Sequence, residues 1–310
     1  MRIVKGFKKE KLFTDRNFVS IGSFDGIHIG HQAILCKVRE LTYVNKGKGI
    51  VVTFDPLPRE FFCKENLKVI TTIDEKLKIL QHLGVDGVVI IPFTDKFSKI
   101  EASDFLKKIW NFFHPYAIIV GCNHHFGKDG KGGLPLLRAF SREKAFQLIE
   151  VREVREGERV VSSSGIRDLI VQGNMKQVNE MLGRTFFFSA RVTKGEGVGR
   201  TLSFPTANLE VSSPRKILPG RGVYVAKIVL NRKEYGAMLY LGKRPTFCAD
   251  GHSRCELHIM GFSGNLYGKN LIVRVLKKIR EEKKFRSAQN LKDQIMSDEN
   301  TARKIIKGVV

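Results

Sequence analysis

Five cysteines in 310 residues, none of them in a Cys-x-x-Cys pair, supply neither a disulfide framework nor a thiolate zinc cluster. Cys36, Cys63, Cys122, Cys248 and Cys255 are odd in number and read as reduced thiols. No apolar run approaches bilayer-spanning length, and the opening segment MRIVKGFKKEKLF lacks the apolar stretch of a secretory signal. These absences predict a cytoplasmic protein without a membrane partner. Acidic residues are scarce, 31 against 54 Lys and Arg, which sets the formal charge at +23 and the pI near 9.9. No internal repeat links the two halves of the chain.

The charge allows two readings: nucleic acid or acidic membrane as partner, or an enzyme for polyanionic substrates. Lys and Arg are spread along the whole chain, and the cluster KKIREEKKFR at 277–286 is interrupted by Glu281 and Glu282. Binding patches concentrate charge, and no aromatic residues interleave with a basic stripe here, so the enzyme reading is favoured and no nucleic-acid partner is expected. Composition is otherwise that of an ordinary globular protein, 42% hydrophobic and 27% charged, with length enough for two domains.

The chain is organised around residues 19–35, VSIGSFDGIHIGHQAIL. A β-type run ending at Ile21 breaks into a glycine-punctuated turn, then opens onto helical spacing at Ile34, Leu35, Val38 and Leu41. A strand, a turn and a helix N-terminus make an anion site, because the first helical N–H groups lack intrahelical partners. His28 and His31 stand three residues apart at that spot, where both could donate to phosphate oxygens. A bare H-x-x-H is also compatible with surface polarity or zinc, but no third ligand sits at suitable spacing nearby.

Short apolar runs at 49–54, 87–91 and 117–120 alternate with helical periods at 72–83 and 102–113, the latter opened by Ser103 and Asp104. That alternation predicts βαβ units and a mostly parallel sheet, with ligands at the carboxyl ends of its strands. Three unusual loops fall there: the turn after Ile21, TFDPLPREFF at 53–62 with Pro56 and Pro58, and VGCNHHFGKDGKGG at 120–133 with Asn123 and Phe126. SSSGIR at 162–167 precedes a helical run that continues through Gly173. Near Phe186 the texture changes to short strands at 187–192, 223–230, 237–241, 256–260 and 271–275, separated by turns such as Asn231-Arg232, with a last helix at 287–306. Such strands suggest a small antiparallel barrel. Gly195, Gly197 and Gly199 with Lys194 and Arg200 form a cationic, backbone-exposing loop ahead of FPTANL at 204–209, and Glu256 shares a strand face with His258.

In combination these strings resemble the bacterial bifunctional riboflavin kinase/FAD synthetase family over essentially the whole chain. G-x-F-D-G-x-H-x-G-H (Gly22, Phe24, Asp25, Gly30 and the two histidines) is similar to its nucleotidylyltransferase signature. The resemblance implies a Rossmann-like nucleotidylyltransferase domain over 1–184 and a β-barrel flavokinase domain with a C-terminal helix over 185–310. It implies an adenylyl site in which His28 and His31 are catalytic. Ser162, Ser163, Ser164 and Arg167 would grip ATP phosphates there, and Pro56, Pro58, Asn123 and Phe126 would contact flavin. It implies a kinase site with Gly195, Gly197, Gly199 and Arg200 on phosphates, Thr206 and Asn208 on Mg²⁺, and Glu256 as base. Substrates would be riboflavin, FMN and ATP. Asn123, His124 and His125 replace the family's usual Asp, Phe and Arg, which leaves as alternative a monofunctional kinase with an impaired first domain. Ser203 stands for a usual glycine, and Gly261 and Asn265 for usual acidic residues. The oligomeric state is left open.

Overall fold

The computed structural model describes residues 1–7, 16–63, 67–157, 159–194, 204–243 and 253–308. The chain divides into two compact units, Met1–Ser163 and Ser164–Val310.

Strands in the first unit are β1 (Arg2–Lys5), β2 (Asn17–Ile21), β3 (Lys48–Asp55), β4 (Gly87–Pro92), β5 (Pro115–Gly121) and β6 (Gln147–Val151). β1 to β6 form one sheet in the order β1-β4-β3-β2-β5-β6, every pair parallel, and β7 (Arg155–Glu156) and β8 (Arg159–Val160), next in sequence, pair antiparallel. Successive residues of one strand serve opposite faces: Val19 packs with Ile50, Val52 and the α5 helix (Ala102–Phe113), while Phe18 packs with Ala117 and Val38 of α1 (Ile29–Asn45). Burial on both faces is why β3, β4 and β5 read as continuous apolar runs. The helix expected at 72–83 is α3 (Ile73–His82), and a capping box starts it, with Thr72 and Glu75 each bonding the other's backbone N–H. Glu101, rather than Ser103 or Asp104, is the N-cap of α5. The short helices α2 (Pro58–Phe62) and α4 (Asp95–Ser98) follow β3 and β4, and α6 (Leu134–Lys144) leads into β6.

The helical run expected to continue through Gly173 is broken there, between α7 (Ser163–Gln172) and α8 (Met175–Leu182). Gly173 takes φ +78°, and a Cβ on it would press on the Tyr224 hydroxyl and the Lys278 side chain. A helical geometry is therefore given up at the one residue that can turn left-handed next to crowded neighbours. Asn179 of α8 donates to the carbonyls of Val275 and Leu276 and accepts from Phe186 N–H, so α8 is tied to the strands C-terminal to it. The change of texture after residue 184 thus lies C-terminal to the unit boundary, which falls ahead of Ser164.

The second unit is a closed barrel of β9 (Phe186–Thr193), β10 (Thr206–Val211), β11 (Gly222–Leu230), β12 (Lys233–Lys243), β13 (Ser253–Ile259) and β14 (Asn270–Arg280). Its order is β10-β13-β12-β11-β14-β9, every pair antiparallel. Asn231 (φ 49°) and Arg232 (φ 65°) make the tight turn between β11 and β12 with the left-handed backbone a two-residue hairpin needs. Helix α9 (Ala288–Ile306), capped by Ser287, covers an outer apolar patch of Val225, Met238 and Met260 with Ala302. Arg280 at the end of β14 donates from Nε to both Asp298 carboxylate oxygens, at 3.1 and 2.9 Å. Asp298 is buried, at 4% side-chain exposure, and Arg280 is largely covered, at 13%. Removing one partner of such a pair strands a buried charge, so Asp298→Ala is expected to cost about 3–5 kcal/mol, read as a lowered unfolding temperature.

Candidate active sites

Parallel strands put all their carboxyl ends on one edge, and a cavity of about 830 Å³ opens at that edge of the first unit. Gly22, Ser23 and Phe24 line it after β2, with His28, Gly30 and His31 at the start of α1. Pro58, Arg59 and Phe62 line it after β3, Asn123, His124, His125 and Phe126 after β5, Arg152 and Glu153 after β6, and then Ser162 and Ser163.

The turn after β2 is held from below. The Asp25 carboxylate, 1% exposed, accepts from the N–H groups of Ile70 (2.9 Å) and Thr71 (3.0 Å), and Gly26 N–H donates to Thr71 Oγ1. The Ser23 carbonyl accepts from Lys76 Nζ (2.6 Å) and Thr53 Oγ1 (3.2 Å). Tied in this way, the turn sustains φ of 46° at Phe24 and 41° at Ile27, a left-handed backbone that bulky and β-branched residues avoid. Asp25 therefore lies under the cavity wall as an anchor rather than on it.

His28 is the N-cap of α1, its Nδ1 accepting from His31 N–H at 3.4 Å. An accepting Nδ1 places the proton of the neutral ring on Nε2, where it can be donated outward. The two imidazoles stack with centroids 3.7 Å apart and planes 21° from parallel. Gly30 leaves room for that ring, since a Cβ there would come within 3.2 Å of it.

Asn123 donates through its side-chain amide to Glu153 Oε1, and its backbone carbonyl oxygen is 3.1 Å from His125 Nδ1. The His124 ring stacks on Phe126. Burial, then the neighbouring His125, pushes His124 down to about 4, so it is a neutral ring at physiological pH. Sequence reasoning did not single out the aromatic wall of Phe54, Phe93, Phe97 and Phe105, or the cations Arg59 and Arg152. Edge-to-face contacts lock that wall, among them Phe54–Phe93 and Phe97–Phe105. Its members come from β3, the segment after β4, α4 and α5. Pro56 does not line the cavity. Ser164 and the buried Arg167 stand on α7 and belong to the second unit.

On the barrel, strand alternation sorts β13 cleanly: Cys255, Leu257 and Ile259 are buried inward, leaving Arg254, Glu256 and His258 on the outer face. Pairing places Asn208 opposite Glu256 and Thr206 opposite His258. Arg254 Nε donates to Glu256 Oε1. The inward Cys255 thiol is pushed up to about 12, by burial first and then by Glu256. Gly195, Gly197, Gly199, Arg200 and Ser203 lie outside the described residues.

A parallel α/β unit with a glycine-and-histidine turn at its strand ends, followed by a barrel with a polar Thr–Asn–Glu strip, defines a two-site nucleotidyl and phosphoryl transferase. The FAD synthetase family model matches residues 11–165, and the riboflavin kinase family model matches residues 182–306. The chain belongs to the bifunctional riboflavin kinase/FMN adenylyltransferase family. It is 33% identical over 302 residues to the protein of that name from Buchnera aphidicola of Acyrthosiphon pisum, covering 96% of each chain. It is 32% identical over 307 residues to the Escherichia coli K12 protein, covering 98% of this chain and 97% of that one. A crystal structure described as a macrolide-efflux protein from Streptococcus pneumoniae superposes with a TM-score of 0.88 at 29% identity, covering 98% of this chain and 99% of that one. Among the described residues no helix is long and apolar enough to cross a membrane.

The depressed His124 makes stability depend on pH. Between pH 6.5 and about 4 the unfolded chain takes up a proton that the folded ring refuses, so stability falls as the solution is acidified through that window. His124→Phe, which keeps a ring against Phe126, is expected to lose less unfolding temperature than the parent protein between pH 7 and pH 5.

Proposed function

We propose that the chain phosphorylates riboflavin to FMN on the barrel and adenylylates FMN to FAD on the parallel-sheet unit. The observation that carries this reading is the presence of both chemistries in one chain: the stacked His28–His31 pair on a strand-end cavity, and Glu256 opposite Asn208 on the barrel. The substitutions at Asn123, His124 and His125 raised a kinase with an impaired first domain as alternative. The FAD synthetase match over 11–165, beside the riboflavin kinase match over 182–306, gives that alternative no support.

In the adenylyl step a phosphate oxygen of FMN attacks the α-phosphorus of ATP, the bond to the bridging oxygen breaks, and pyrophosphate leaves. No protein nucleophile is required. His28 and His31 stabilise the charge that builds on the phosphoryl oxygens, and the positive end of the α1 dipole assists. Ser162 and Ser163 supply hydroxyls at the cavity wall. Pro58, Asn123 and Phe126 border the space for the flavin, and the phenylalanine wall suits a planar ring system.

In the kinase step the riboflavin 5′-hydroxyl attacks the γ-phosphorus, its proton passes to Glu256, and ADP leaves. The Thr206 hydroxyl and the Asn208 amide oxygen are hard donors next to a carboxylate, a set that fits Mg²⁺ completed by substrate phosphates. Bound there, Mg²⁺ would neutralise charge on the transferring group. Positioning supplies much of the remaining acceleration. Cys36, Cys63, Cys122 and Cys255, free among the described residues, fit a cytoplasmic enzyme.

His28→Ala and His31→Ala are each expected to slow FAD formation from supplied FMN about 10²–10³-fold while FMN formation from riboflavin continues. Near-parental FAD rates in both variants would remove the assignment. Glu256→Gln is expected to abolish FMN formation and spare FAD synthesis from FMN, read by resolving the two products over time; loss of both activities in a folded variant would contradict two independent sites.

A further inference from the structure

The outer strip of the barrel does not end at Glu256. Register places Tyr240 of β12 opposite Glu256 on the side away from Asn208, and Gly242 opposite Arg254. Directly opposed residues of an antiparallel pair hold their Cβ atoms about 4.5–5.5 Å apart, so the Tyr240 ring stands beside the Glu256 carboxylate. Its hydroxyl donates to Glu282 Oε1 at 2.5 Å, across 42 residues of chain. Gly242 makes that posture possible, because a Cβ there would collide with the Tyr240 hydroxyl and with Glu282 Oε1. Burial, then Glu282, pushes the phenol up to about 12, so it remains a neutral donor committed to Glu282. Toward α9 the same outer face turns apolar with Met238, which leaves Tyr240 at the border between the covered patch and the polar strip.

We propose that Tyr240, pinned by Glu282, is a positioning residue for phosphoryl transfer, walling Glu256 in from the β12 side and aiming its carboxylate at the acceptor hydroxyl. The inference rests on the assignment of Glu256 as the base. Glu256 meets Arg254 along its own strand and has Tyr240 as its neighbour across the pair on β12. Glu282 is exposed, so its substitution changes the latch without opening the core.

The test uses the full chain with riboflavin and MgATP. Tyr240→Phe and Glu282→Ala are each expected to lower kcat for FMN formation on the order of tenfold, with KM for ATP unchanged. Glu282→Gln, whose carbonyl oxygen still accepts from the phenol, is expected to recover most of that loss. FAD formation from supplied FMN stays at its parental rate throughout. Parental kcat in Tyr240→Phe or Glu282→Ala, or a Glu282→Gln as slow as Glu282→Ala, overturns the positioning role; should Tyr240→Phe fold poorly, the exposed Glu282 pair decides. Undiminished FMN formation in Glu256→Gln would instead overturn the base assignment, whereas an inactive Glu256→Gln beside a parental Tyr240→Phe would overturn only the role of Tyr240.

Discussion

Asn208 meets Glu256 because β10 and β13 pair in one register and no other. Side chains of a strand alternate between faces, so a slip of one residue would turn Glu256 and Arg254 into the barrel and put Leu257 and Cys255 outside. Burying those charges costs several kcal/mol each, and exposing the apolar set forfeits its burial as well. The inward positions Cys255, Leu257 and Ile259, together with Ala237, Leu239 and Leu241 of β12, thus fix which polar groups can meet on the outer face. Core packing here selects the chemistry without touching it.

In the parallel sheet the same constraint acts through strand direction. With every pair parallel, the loops after β2, β3, β4, β5 and β6 gather on one edge whatever their sequences are. Gathering alone would leave them loose, and the turn after β2 is not loose. Asp25 and Lys76 reach it from under the cavity floor and hold Phe24 and Ile27 in backbone states they would otherwise leave. Buried polar groups are usually a liability, but here their bonds secure the segment that presents His28 and His31.

Elements buried on two faces were legible in the sequence. The runs that became β3, β4 and β5 are apolar throughout, and α3 announces itself with Thr72 and Glu75. Elements that bury little were not. β1 buries only Val4 of its four residues, β6 is mostly half-exposed, and β10 carries its polar motif with one buried residue, Leu209. The break at Gly173 depends on Tyr224 and Lys278, which no local pattern contains. Site residues followed the same divide. Candidates in compact strings, such as His28, His31, Thr206 and Asn208, could be proposed from those strings alone. The phenylalanine wall and the Tyr240–Glu282 latch are assembled from segments far apart in the chain, so only the fold reveals them.

Much of the positive charge lies outside the sites, although Arg59 and Arg152 line the cavity and Arg254 stands beside Glu256. Most ion pairs among the described residues are exposed, such as Lys99–Asp95 and Lys107–Asp104, and such pairs contribute little to stability. Beside those arginines, the groups that face the proposed substrates include neutral ones: serine and threonine hydroxyls, carboxamides and helix N–H groups. A field of dispersed cations raises the local concentration of polyanions and speeds encounter, and salt screens it over about 8 Å at physiological ionic strength. Neutral donors at fixed positions then discriminate by geometry without holding a pyrophosphate or ADP product so tightly that it cannot leave. Long-range capture and short-range recognition are thereby carried by different residues, which lets each unit keep a polyanion site while its basic surface stays free of the chemistry.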